Sequence, residues 1–133
     1  MNPFLELGIR HEIVNAVTEL GFEKPSPIQE QAIPVLLTGN NDFVGLAQTG
    51  TGKTAAFGLP LLEQIDPSQK HPQALVLCPT RELCLQISRD LESFAKYIDG
   101  VSVVAVYGGA NIRDQLRQIR RGVQLVVATP GRM

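Results

Sequence analysis

Apolar positions along the chain fall into two alternating kinds of segment. Short, nearly continuous, Val-rich runs occur at 42–47 (DFVGLA), 73–79 (QALVLCP), 101–108 (VSVVAVYG) and 123–130 (VQLVVATP). Runs of this length and continuity predict strands buried on both faces. Between them apolar residues recur at helical spacing. In 81–100 (RELCLQISRDLESFAKYIDG), Leu83, Ile87, Leu91 and Phe94 share one helix face, with Thr80 as N-cap and Gly100 as the stop. In 111–122 (NIRDQLRQIRRG), Ile112, Leu116 and Ile119 are expected inward, and Arg113, Arg117, Arg120 and Arg121 largely outward, between Asn111 and Gly122. Upstream, Ile9, Ile13, Val17 and Leu20 predict a helix that stops at Gly21, and a further helix begins at Ser26–Pro27. Strands alternating with helices predict an α/β fold with a mostly parallel sheet. The stretch 66–73 (DPSQKHPQ) reads as a surface loop.

Composition narrows the class without naming a ligand. With 133 residues, 44% hydrophobic and 19% charged, the chain is expected to be one soluble globular domain. A formal net charge of -1 does not point to nucleic acid, although a local patch can hide in a neutral total. Cys78 and Cys84 have no metal-site spacing and read as buried free thiols of a cytoplasmic protein. No apolar run approaches the ~18 residues of a membrane span, and the N-terminus does not read as a signal peptide.

The chemistry concentrates in AQTGTGKT, residues 47–54. A phosphate-binding loop needs glycines where backbone N–H groups converge on phosphate oxygens, a lysine for the outer phosphates, and a Ser or Thr for magnesium. Gly50, Gly52, Lys53 and Thr54 match, between a predicted strand and a helix whose N-terminus adds its positive end. Chance produces such a match in a chain of this size on the order of once in a hundred. The first position is Ala47, small enough for close approach. A second stretch, GFEKPSPIQ at 21–29, has two readings. Ser26 and Gln29 form a capping box around Pro27, or Gln29 has a task of its own.

In order along the chain, GFEKPSPIQ, AQTGTGKT, PTREL (79–83), GG (108–109) and TPGR (129–132) resemble the N-terminal RecA-like domain of DEAD-box ATP-dependent RNA helicases. A leading Ala is normal in that family. The resemblance implies a RecA-like P-loop NTPase domain over 1–133, incomplete at its C-terminal end. It implies that Gln29 reads adenine, that Phe22 stacks on the base, and that Ser26 ties this segment to the phosphate loop. Phe4 is expected to be a packing anchor. The nucleotide set becomes Phe22, Lys24, Gln29, Ala47, Gln48, Thr49, Gly50, Thr51, Gly52, Lys53 and Thr54. Within it, Lys53 acts on the β- and γ-phosphates of ATP or ADP, and Thr54 on Mg2+. Pro79, Thr80, Arg81, Gly108, Gly109, Thr129, Gly131 and Arg132 become contacts to the RNA backbone, without base preference.

Family members carry an Asp-Glu-Ala-Asp strand after TPGR, then a second domain with an arginine finger. Neither occurs in these 133 residues. The expectation is a piece of a helicase that binds nucleotide at most. Its sheet would lack the strands between the P-loop strand and the other three. Exposed edges then predict rearranged pairing or a homodimer. A P-loop GTPase or small-molecule kinase leaves GFEKPSPIQ unexplained. The remaining alternative is a non-enzymatic module that binds adenine nucleotide or RNA.

Overall fold

A computed structural model describes residues 2–39, 41–47, 52–109 and 111–132. Among these are the helices α1 (Pro3–Glu6), α2 (His11–Glu19), α3 (Pro27–Thr38), α4 (Lys53–Gln64), α5 (Arg81–Phe94) and α6 (Ile112–Arg120). The strands are β1 (Ala74–Leu77), β2 (Val103–Val106) and β3 (Leu125–Ala128), followed by a 3-10 turn at Pro130–Arg132. The chain divides into two compact units, Met1–Gln64 with Ser93–Tyr97, and Ile65–Glu92 with Ile98–Met133. None of the described helices is long and apolar enough to cross a membrane.

The first unit is helical. Asn2 Oδ1 accepts from Phe4 N at 2.8 Å and starts α1. Phe4 is fully buried and stands 6.2 Å from the Phe22 ring, which lies edge-on to Phe94 at 6.1 Å. The packing role expected of Phe4 is therefore met. Arg10 ties the start of α2 to the end of α4. Its backbone N donates to Glu63 Oε2 at 3.0 Å, and its guanidinium donates to Glu63 O at 2.9 Å. The helix is shorter than its apolar pattern suggested. Ile9 is buried ahead of it, while Leu20 caps it and is half exposed. α3 packs along α4 and ends at Gly39 with φ +70°.

Residues 42–47 do not form the strand that their composition predicts. Val44 is 89% and Leu46 94% exposed, so this segment has the side chains of a buried strand without a sheet around it. A strand exists only through ladder bonds to a neighbour, and no described strand pairs here.

The second unit holds a three-stranded parallel sheet in the order β1-β3-β2. Its register sets Leu77 and Val106 on either side of Ala128, so all three strands end level. Val104, Val106, Val123 and Ala128 form a core against which Ile119 of α6 packs. Thr80 Oγ1 accepts from Leu83 N at 3.2 Å and begins α5, as expected. Ile87, Leu91 and Phe94 are buried along that helix, which ends at Phe94 rather than Gly100. Cys78 and Cys84 are buried and free, and burial pushes both thiols up.

One feature of this unit departs from the pattern-based expectation. Ile112 (51%) and Leu116 (44%) of α6 are exposed, whereas Gln115 is buried. The stretch 66–73 is the largely exposed loop expected of it, and a buried side chain ties it down. Gln124, with no exposed surface, donates through Nε2 to Gly100 O at 2.8 Å, Gln69 O at 3.2 Å and Pro67 O at 3.3 Å. Its Oε1 accepts from Ser102 N at 2.8 Å.

Candidate nucleotide and nucleic-acid sites

The first site forms where α3 begins. Pro27 occupies the first helical position, where its missing N–H costs nothing. Gln29 sits two residues further on with 3% exposure. Its Oε1 accepts from Ser26 N at 2.9 Å, which is one half of the capping box. The other half is present in arrangement, with Ser26 Oγ facing the Gln29 backbone N–H, but it falls short of a hydrogen bond, and Ser26 Oγ is buried without a partner among the described residues. Gln29 Nε2 donates to Gly52 O at 3.1 Å. Gln29 thus ties this segment to Gly52, and no such bond from Ser26 occurs among the described residues. Ser26 is the shorter side chain, and its Oγ faces Gly52 without bonding to it.

Gly52 is required by this arrangement. Its φ is +82°, and a Cβ there would stand 2.3 Å from Gln29 Nε2. Any other residue would push the amide away and strain the turn into α4.

An amide side chain offers two N–H groups and two acceptor lone pairs. Gln29 spends one of each on Ser26 N and Gly52 O. Among the described residues one donor and one acceptor remain without a partner, the pair that an adenine edge requires. The capping reading and the base-reading one are therefore compatible. Phe22, Lys24, Pro25, Ser26, Pro27, Gln29 and Gly52 surround an open cavity of about 380 Å³. Phe22 lines it while also packing between Phe4 and Phe94.

Lys53 opens α4 and is exposed, with Thr54 half-buried beside it. Lys53 lines a different, largely apolar hollow of about 320 Å³ with Ile28, Phe43 and Phe57. Gly52 O is the described link between Gln29 and the start of α4. Ala47 is half-buried at the end of the extended segment. Gln48, Thr49, Gly50 and Thr51 lie outside the described residues.

The second site is built by the sheet. Parallel strands in register bring the segments that follow them to one end. Pro79, Thr80 and Arg81 follow β1, Gly108 and Gly109 follow β2, and Thr129, Gly131 and Arg132 follow β3. The Arg81 guanidinium lies 5.1 Å from the Tyr107 ring centre, a cation–π contact on an exposed arginine. Gln115 Nε2 donates to Tyr107 O at 3.1 Å, and Arg132 Nη1 donates to Gln115 Oε1 at 3.4 Å. Sequence reading missed Tyr107 and Gln115. The available signal for Gln115 was a polar residue on the apolar face shared by Ile112 and Ile119.

A family model described as DEAD/DEAH box helicase matches residues 26–133. The chain belongs to this family. The ATP-dependent RNA helicase DeaD of Haemophilus influenzae is 57% identical over 130 residues, which is 98% of this chain and 21% of that protein. This DEAD/DEAH box chain spans about a fifth of the length of the curated relatives it matches. The crystal structure of a DEAD box protein from the hyperthermophile Methanococcus jannaschii matches it with a TM-score of 0.91 at 38% identity. That match covers 98% of this chain and 35% of the other. Saccharomyces cerevisiae Dbp5, solved bound to RNA and ADP BeF3, matches with a TM-score of 0.86 at 32% identity, over 99% of this chain and 33% of that one. The α/β RecA-like fold expected from the motifs is thus the fold of the DEAD-box neighbours.

Proposed function

We propose that this chain is the adenine-nucleotide-binding and RNA-contacting part of an ATP-dependent RNA helicase of the cytoplasm. The observation that carries the reading is Gln29, buried, tied to Gly52 O, and left among the described residues with one donor and one acceptor to spare beside the Phe22 ring. Adenine stacks on Phe22 and pairs its edge with Gln29, and Lys24 flanks the cavity. The phosphates extend toward Ala47, Gln48, Thr49, Gly50, Thr51 and Gly52, with Lys53 supplying positive charge at the start of α4. Mg2+ fits Thr54, because this ion takes few protein ligands and completes its shell with phosphate oxygens and water. When bound, it neutralises phosphate charge. Relatives named ATP-dependent RNA helicase, and Dbp5 bound to RNA and ADP BeF3, support the same assignment.

The RNA backbone lies across the level ends of β1, β2 and β3. There Arg81 and Arg132 supply cations, Thr80 and Thr129 hydroxyls, and Gly108, Gly109 and Gly131 close backbone approach, with Pro79 leading into the turn. To these 133 residues we assign the binding of adenine nucleotide and RNA. β1 is an edge strand with Leu75 and Leu77 about half exposed, and two copies pairing there would cover it. Light scattering at high concentration is expected to show dimers, and a clean monomer contradicts the pairing.

Calorimetry with ADP and with GDP tests the assignment of Gln29. The unsubstituted chain is expected to prefer ADP by roughly tenfold, the effect of one or two hydrogen bonds. Gln29→Ala is expected to lose that preference while keeping weak binding of both. An undiminished preference in Gln29→Ala removes the residue from base recognition.

A further inference from the structure

We propose that Gln115 is a positioning residue for RNA: its single amide fixes the Arg132 guanidinium relative to the turn that carries Gly108 and Gly109. The inference rests on reading the strand ends as an RNA-contacting surface.

Gln115 lies on α6 with 5% exposure, and a glutamine buried to that degree needs partners. Both partners belong to the segments that follow the strands. Nε2 donates to the carbonyl of Tyr107, the residue immediately before Gly108. Oε1 accepts from Arg132 Nη1 in the 3-10 turn after β3. The Tyr107 ring in turn carries the Arg81 guanidinium from the first residue of α5. A Cβ on Gly109, whose φ is +88°, would stand 3.6 Å from Arg81 Nη1, so this turn and that arginine are close neighbours. One buried side chain therefore joins segments from β2 and β3, and Tyr107 extends the chain of contacts to the segment after β1.

The arrangement matters for binding because arginine is long and flexible. A guanidinium already held by Gln115 loses less freedom when it meets a phosphate, and the gain appears as affinity. Holding the Tyr107 carbonyl also fixes where the Gly108–Gly109 backbone can be approached. A glutamine serving only the fold would lower the melting temperature when replaced, and RNA affinity per folded molecule would not change.

The test is fluorescence anisotropy with a labelled single-stranded RNA of roughly ten nucleotides over a range of salt concentrations. Circular dichroism on the same samples reports folding. Gln115→Leu keeps the volume and removes both bonds. Its RNA affinity is expected to fall about 5–10-fold, as for one charge-assisted contact, and its salt slope to become shallower by about one counterion. Arg132→Gln is expected to do the same, and the double variant to bind no worse than either. Gln115→Met, a second uncharged variant of similar size that lacks both bonds, is expected to give the same loss. Wild-type affinity and slope in folded Gln115→Leu, or losses that multiply in the double variant, would overturn the inference. Should Gln115→Leu not fold, Gln115→Met decides: placed on Arg132→Gln it must be silent toward RNA, and a further loss overturns the inference. No RNA binding by the unsubstituted chain at low salt is a separate result. It removes the RNA-contacting reading itself, and this inference with it.

Discussion

Replacing Gln124 by leucine is expected to lower the melting temperature by about 10 °C, corresponding to about 3 kcal/mol. The substitution preserves volume, so the loss comes from hydrogen bonding and not from a cavity. Ser102 N loses its acceptor, and the carbonyls of Pro67, Gln69 and Gly100 lose a shared donor. Each buried group left unpaired costs about 1–3 kcal/mol, and part of that is recovered where water reaches the 66–73 loop. Gly100 O keeps the Lys70 ammonium at 2.9 Å, which limits the damage there. Since a domain is stable by about 5–15 kcal/mol in total, this one side chain matters to the whole unit. Thermal denaturation followed by circular dichroism checks it. A shift under 2 °C would mean that the three carbonyls find other partners without cost.

Lys53→Ala is expected to weaken ADP and GDP alike, by about 10–100-fold. A hydrogen bond to a charged group contributes about 1.5–3 kcal/mol, and in the proposed function the lysine meets phosphate rather than base. The substitution is mild for the fold, because Lys53 is exposed at the first position of α4 and alanine is a good helix former. Combined with Gln29→Ala, it separates two contributions. One variant removes base selectivity, and the other removes affinity without changing selectivity. Isothermal calorimetry on both variants reads the difference directly. A Lys53→Ala chain that binds ADP as well as the unsubstituted chain would place the phosphates elsewhere.

How much of this was legible in the sequence differs by element, for physical reasons. β1, β2 and β3 were readable because a short Val-rich run bounded by turn residues has few other ways to bury itself. The run at 42–47 has the same composition and is not a strand here, because pairing is supplied by a neighbour and not by the run itself. Periodicity correctly grouped Ile112, Leu116 and Ile119 on one face of α6. It could not say what covers that face, and only Ile119 packs against the sheet core. Gln124 sits inside the run 123–130, and its partners lie 22 to 57 residues away, beyond the reach of any local pattern. Gln29 admits two readings in the sequence, capping residue and base reader, and its bonds to Ser26 N and Gly52 O are compatible with both.

The central claim is that the turn entering α4 at Gly52 and Lys53, together with Gln29, seats an adenine nucleotide. Titrating ADP with magnesium into the folded chain tests it most directly, with heat and melting temperature read on the same material. Saturable heat is expected, together with a melting temperature that rises with ADP concentration, as linkage requires of any ligand that binds only the folded state. Neither heat nor a shift at millimolar ADP would contradict the claim.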